Sequence, residues 1–130
     1  MEILTALEKL YDRFGTEYRR DDVVFSEGET DTDMYFVLAG AVEIIKDGSG
    51  AQPVVLASVG VGEFFGEMSL LLSEPRSATV RAAEDGTRTI RISPGNFDTI
   101  VRLQPQIAVQ MLRVLAQRLR VTSSRVQSRE

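Results

Sequence analysis

The sequence predicts a mainly β fold with flanking helices, a barrel or double-sheet jelly roll of the double-stranded β-helix kind. Three observations predict it. Short runs rich in Val, Ile, Tyr, Phe and Thr recur between Thr16 and Ser93, separated by polar or glycine-bearing turns. Gly28, Gly40, Gly60, Gly62 and Gly66 fall at the ends of those runs, where a corner or a left-handed backbone is wanted. At both ends of the chain the apolar period changes to three and four residues, the period of a helix. The 130 residues are expected to form one domain, 1–130, with an N-terminal helix (1–15), a β-barrel (16–93) and C-terminal helices (94–128).

Composition narrows the chemistry. A net charge of −4 and a pI near 4.9 argue against nucleic-acid binding driven by bulk charge, though not against one anionic ligand in a local basic pocket. The absence of Cys removes disulfides, thiol catalysis and thiolate metal sites. The absence of His removes histidine general-base mechanisms and would leave any zinc or iron an all-oxygen site. No catalytic or metal-ligating residues are therefore assigned. No apolar run approaches the roughly 20 residues of a membrane span, and the first nine residues, with Glu2, Glu8 and Lys9, are too charged for a secretory signal. The expectation is a cytoplasmic protein with no membrane partner.

Taken in order, Ile3, Leu4, Leu7, Leu10, Tyr11 and Phe14 share one helical face ending at Gly15. Strands are predicted at Glu17–Arg20 and Val23–Ser26. The acidic stretch from Glu27 to Asp33 lacks the spacing of a calcium loop and reads as a solvated turn. Met34–Ala39 and Ala41–Lys46 are strands around Gly40, and Asp47-Gly48-Ser49-Gly50 has hairpin composition. Further strands are predicted at Pro53–Val59, Ala78–Ala83 and Thr87–Ser93. Ser93 can then cap, and Pro94 can open, a short helix through Phe97, Ile100, Val101 and Leu103. A longer helix follows Pro105 and is predicted to run to about Gln127.

Residues 62–80 carry the chemistry. Gly66 lets backbone approach a ligand, and Glu67–Leu72 can make a short helix whose first N–H groups are free for an anion. Arg76 is a permanent, forked cation suited to phosphate oxygens, and Ser77 adds a hydroxyl and an N–H beside it. The same composition also suits an ordinary crossover with Arg76 in solvent.

The C-terminal helix carries two apolar rows. Ile107, Met111 and Val114 form one. Ala108, Leu112, Leu115, Leu119, Thr122 and Val126 form a seam of alternating four- and three-residue steps. One row can cover the body while the other meets a second copy, giving a homodimer. A single wide face buried in a monomer is the alternative. Thr122 interrupts the seam with a hydroxyl that needs a partner, either its own helix or a ligand.

The order Phe65-Gly66-Glu67, then apolar residues, then Pro75-Arg76-Ser77-Ala78-Thr79-Val80 resembles the phosphate-binding cassette of the cyclic nucleotide-binding domain family. Val23–Gly28 and Tyr35–Ile44 resemble its first barrel strands. Gln117–Val126 resembles the central helix of the catabolite-activator branch of that family. The resemblance implies a cyclic nucleotide as ligand, cAMP in preference to cGMP, and no other cofactor. It implies that Arg76 and Ser77 meet the phosphate and that Glu67 accepts from the ribose 2′-OH. Gly66 and Met68 are implied to lend backbone, and Ile44 and Leu56 to wall the base and sugar. Arg118 is implied to reach Glu67, and Thr122 to cap the base with Ser123 from a second copy. The branch continues into a DNA-reading helix-turn-helix, whereas these 130 residues contain none, so this chain alone is not expected to read DNA. It is expected to act as a sensor, free-standing or as the ligand-binding part of something longer. The rivals are an enzyme, a degenerate non-binding dimerisation domain, and a barrel sensor for another ligand.

Overall fold

The computed structural model describes residues 2–46 and 52–128. The chain opens with helix α1 (Glu2–Phe14), then strands β1 (Gly15–Tyr18), β2 (Val23–Phe25), β3 (Met34–Ala39), β4 (Val42–Lys46), β5 (Val54–Val59) and β6 (Phe64–Phe65). Helix α2 (Glu67–Leu72) separates these from β7 (Thr79–Ala82) and β8 (Thr87–Ile92), and α3 (Phe97–Leu103) and α4 (Gln106–Ser128) complete it. The expected Asp47–Gly50 turn lies outside the described residues, as does the side chain of Val126.

The strands form two separate four-stranded sheets, in the orders β1-β8-β3-β6 and β2-β7-β4-β5, with every pairing antiparallel. This corrects the expected closed β barrel. Closure requires each edge strand to hydrogen-bond to a strand of the other sheet, and among the described residues no such pairing joins the two. The edge strands β2 and β6 have 3 and 2 residues, too short to belong to both sheets. The fold is also mixed α/β rather than mainly β. Helices α1 and α4 have 13 and 23 residues, while among the described residues no strand exceeds 6. Regular short strands and turn glycines are shared by stacked sheets and barrels, and the pattern carries no record of which edges pair.

The sheets pack face to face, and β3 is the strand that explains the layers. Successive side chains on a strand point to opposite faces. Met34 and Phe36 therefore join Phe64, Ile90 and Ile92 against Leu7 of α1, Ile100 of α3, and Ile107 and Met111 of α4. Tyr35 and Val37 point the other way, into an inter-sheet cluster with Phe25, Val42, Val59, Phe65 and Val80. A strand buried on both faces reads as a continuous apolar run, which is what Met34–Ala39 is.

The start of α3 also differs from expectation. Its N-cap is Asn96, not Ser93. The Ser93 N–H donates to Asn96 Oδ1 at 2.8 Å, and the Asn96 N–H donates to Ser93 Oγ at 3.2 Å, so the pair braces the turn before the helix. Among the described residues, no helix is long and apolar enough to cross a membrane.

Candidate functional site

Strand β6 ends at Phe65, and the chain must then turn sharply into α2. Gly66 makes the turn with φ +81°. A Cβ there would lie 2.9 Å from Arg76 Nη1 and 3.1 Å from the Asp33 carbonyl oxygen, so both backbone conformation and space require glycine. Helix α2 ends at Ser73, itself left-handed at φ +56°, with its N–H donating to the Ser69 carbonyl at 2.9 Å. The chain returns through Pro75 to Arg76. There the Arg76 N–H donates to the Glu29 carbonyl and its own carbonyl accepts from the Gly28 N–H, each at 2.8 Å. Two backbone bonds thus fix the root of the arginine against the loop before β3.

Its guanidinium is almost fully buried. Nε and Nη2 donate to the two oxygens of Asp31 at 3.2 and 2.6 Å, Nη2 to the Asp33 carbonyl at 2.5 Å, and Nη1 to the Gly66 carbonyl at 3.2 Å. Its face lies over the Phe25 ring at 3.8 Å, a cation–π contact. Phe25, Tyr35 and Phe65 form a ring cluster behind it, with centroids 5.2 to 6.1 Å apart. Burial among these groups pushes the Tyr35 hydroxyl up to about 12, with the nearby Tyr18 adding to the shift. Asp33, also buried, turns its carboxylate outward to the Arg91 guanidinium. That ion pair, with burial opposing it, holds Arg91 above the ordinary arginine value.

A cavity of about 480 Å³ opens in front of Arg76, within the range typical of small-molecule sites. Ile44, Ala57, Val59, Phe65, Val80 and Val114 give it apolar walls, while Glu67, Ser58, Ser69, Ser77, Gln110 and Arg118 supply polar groups. Glu67 is 8% exposed, and its Oε2 accepts from Arg118 Nη1 at 3.1 Å. The Arg118 guanidinium also lies 5.4 Å from the centre of the Phe64 ring. Residues 51 apart in sequence therefore meet at one rim. Among the described residues no cluster of His, Cys, Asp or Glu is suited to a metal ion.

The sequence-predicted residues divide cleanly. Ile44, Gly66, Glu67, Met68, Arg76, Ser77 and Arg118 line the cavity. Leu56, Thr122 and Ser123 do not. Leu56 is 57% exposed and falls at the irregularity of the ladder, where Ile44 pairs with Ala57 and Ile45 with Val55, so it stands opposite no residue of β4. Thr122 and Ser123 are exposed on α4, and Thr122 Oγ1 donates to the Arg118 carbonyl of its own helix at 3.1 Å. The acidic stretch before β3 is not simply solvated, since Asp31 holds Arg76 and Asp33 is buried. Sequence reading missed both, because nothing in the stretch names an arginine 45 positions away as partner. Phe25 had a legible signal in its place within an apolar triplet.

On α4, Ile107 and Met111 are buried and Val114 packs partly on the same cluster, while Leu112 and Leu119 are each 68% exposed. The first row read from the sequence is therefore covered, whereas the second is mixed, with Leu112 and Leu119 in solvent and Leu115 packed partly on the same cluster.

Comparison with known proteins adds the following. The family profile described as "Cyclic nucleotide-binding domain" matches residues 16–104. A cyclic AMP receptor protein of Thermus thermophilus is 35% identical over 103 residues, covering 79% of this chain and 47% of the receptor. The crystal structure of the Thermus thermophilus catabolite activator protein superposes with a TM-score of 0.71 at 30% identity, over 96% of this chain and 55% of that one. The EAL enzyme Bd1971 is similar in its cAMP-bound form (TM-score 0.60, 31% identity, 84% of this chain and 29% of that one). Its cGMP-bound form gives a TM-score of 0.59 and 32% identity over 82% of this chain and 28% of that one. The chain thus spans about half the length of the receptor and activator, and less of the enzyme.

Proposed function

The chain belongs to the cyclic nucleotide-binding domain family, a non-catalytic regulatory module, and is related to cAMP receptor proteins; from that premise we propose that it binds cAMP in the cavity before Arg76 and passes occupancy on through α4. The observation that carries this reading is the convergence of Glu67, Arg76, Ser77 and Arg118 on one cavity with apolar walls. The groups match the ligand's parts. Arg76 and Ser77 meet the cyclic phosphate. Glu67 accepts from the ribose 2′-OH, which a carboxylate of two oxygens can do while also holding Arg118. Gly66 and Met68 bring backbone close, and Ile44 with Ala57 and Val59 walls the base and sugar.

Arg118 makes the link to output. It stands on α4 and pairs with Glu67, so a ligand that engages Glu67 changes the contact between α2 and α4. Such a ligand biases helix position only by binding the two arrangements with different affinity. One turn beyond Arg118, Thr122 and the Ser123 of a second copy cap the base in a homodimer formed along the exposed row of α4. Thr122 can accept from the adenine amino group or donate to guanine O6, and the preference for cAMP rests on the relationship to the receptor.

Side-by-side calorimetric titration with cAMP and cGMP tests the proposal. The expected result is tighter binding of cAMP, and a loss of about ten-fold or more in the Arg76→Leu variant from removing a charged partner of phosphate. An Arg76→Leu protein that titrates like its parent overturns the phosphate assignment, and a protein that binds neither nucleotide overturns the function.

A further inference from the structure

We infer that the chain carries a second anion site, separate from the cavity before Arg76, where a doubly charged phosphate, free or as a monoester, is held between Arg13 and Arg91. The place is a pocket of about 360 Å³, within the range of small-molecule sites. It shares no lining residue with the larger cavity. Three segments meet there. The junction of α1 with β1 brings Arg13 and Thr16, the end of β8 and the turn after it bring Arg91, Ser93 and Asn96, and the loop before β3 brings Asp33. They are side by side because β1 and β3 both pair with β8.

What the pocket offers is donors. Arg91 spends Nε on the Asp33 carboxylate, which leaves the N–H groups of both terminal nitrogens for another partner. The Arg91 side chain is 58% exposed and that of Asp33 10%, so the pair is closed on the carboxylate side and open on the guanidinium side. Arg13 lies over the Phe14 ring, 4.9 Å from its centre. A cation–π contact uses the face of the guanidinium and leaves its edges, where the N–H groups point, unspent. Among the described residues no carboxylate stands within ion-pair reach of Arg13. Asn96 Oδ1 accepts from the Ser93 N–H, which fixes the amide and leaves its NH₂ end to donate. Ser93 Oγ accepts from the Asn96 N–H, so its own proton is left to donate as well. Thr16 adds another hydroxyl.

Charge then selects the ligand. Asp33 is the one carboxylate in the lining, and Arg91 matches it, so the charge of Arg13 is left over. A dianion gains more from such a place than a monoanion, because Coulomb attraction scales with charge. A phosphate monoester carries about two charges at neutral pH and has three acceptor oxygens, enough to meet both guanidinium groups and the Ser93 and Asn96 donors. A cyclic diester carries a single charge and fewer free oxygens. The two sites therefore sort ligands by the chemistry of the phosphate.

The test follows backbone amides by nitrogen–proton NMR while inorganic phosphate, 5′-AMP or cAMP is added at constant ionic strength to the parent, Arg13→Gln and Arg76→Leu proteins. Arg13 is exposed on the last turn of α1, so its variant is expected to fold. Inorganic phosphate and 5′-AMP should move the Thr16, Ser93 and Asn96 amides to saturation. Arg13→Gln should weaken both ligands by roughly five-fold, the upper end for one ion pair open to water, and leave cAMP binding unchanged. Arg76→Leu should leave the phosphate titration unchanged. Movement of those amides that stays linear in phosphate, or that sodium chloride reproduces, is screening and overturns the site. So does a phosphate titration to which Arg13→Gln makes no difference. If phosphate instead moves the Gly66 and Ser77 amides, and Arg76→Leu abolishes the movement, the anion belongs to the first cavity and the second site falls while the proposed function stands.

Discussion

At the scale of single residues, burial decides which side chains respond to solution conditions. Tyr35 is 3% exposed beneath Arg76 and the ring cluster, and its hydroxyl is raised from an ordinary value of 10.0 to about 12. Below pH 10 the phenol is neutral in both folded and unfolded chains, so the stabilisation is fully present. Between pH 10 and 12 the unfolded chain releases the proton that the folded chain retains, and stability falls with rising pH. The loss through that window is of the order of 2–3 kcal/mol. Urea melts at successive pH values are expected to show a constant stability up to about pH 9 and a decline above 10. Tyr35→Phe should flatten most of that decline, leaving the part due to Tyr18, which burial also raises. A Tyr35→Phe protein with an unchanged alkaline slope would remove this account. At this scale the sequence was informative where chemistry is local, as at Gly66, Glu67 and Arg76. It was silent on the Asp31–Arg76 pair, because a carboxylate and a guanidinium 45 residues apart are joined only by the fold.

At the scale of elements, α4 matters most because its apolar residues have different fates. Ile107 and Met111 fix it to the body, whereas Leu112 and Leu119 remain exposed on the same helix. Two apolar side chains one heptad apart form the start of a coiled-coil seam. We expect the parent to sediment as a dimer and a Leu112→Arg, Leu119→Arg double variant to sediment as a monomer. Its stability at low concentration should match the parent's to within about 0.5 kcal/mol, as for surface changes away from the core. A parent that is monomeric with and without cAMP removes the seam from the proposal. The apolar residues of α4 were legible from periodicity, since a helix displays its period directly, but their division into rows was not, because Leu115 of the second row packs on the core beside Val114 of the first. The facing side of β5 was not. The register shifts between Ile44 and Ile45, and this irregularity leaves Leu56 opposite no residue of β4 while Ala57 pairs with Ile44.

At the scale of the molecule, the two stacked sheets divide the interior into two clusters with β3 as the wall between them. The strands and helices were largely legible as elements. Their closure was not, because edge pairing depends on where short strands such as β2 and β6 stop rather than on their composition. The division has a consequence for how stability and binding are linked. The inter-sheet cluster supplies Phe25, Val59, Phe65 and Val80 directly to the cavity wall. Among the described residues the helix-side cluster meets the cavity through Phe64, through α2, whose Leu70 packs on it while Glu67, Met68 and Ser69 line the cavity, and through α4, which lends Ile107 and Met111 to the core and Gln110, Val114 and Arg118 to the cavity. Leu7 is fully buried in the helix-side cluster and absent from the cavity wall. Leu7→Ala is therefore expected to lower stability by about 2–5 kcal/mol through the void it leaves, and the melting temperature by about 10 °C. The cAMP dissociation constant should stay within about two-fold of the parent's, because Leu7 itself does not line the cavity. Thermal melts and titrations on the same preparation separate the two quantities. If affinity falls with stability, α1 and α4 move as one body and α4 carries the change into the Glu67–Arg118 contact. If stability falls alone, Ile107 and Met111 hold α4 in place without help from α1, and the ligand is read by α2 and α4 on a support that does not depend on Leu7.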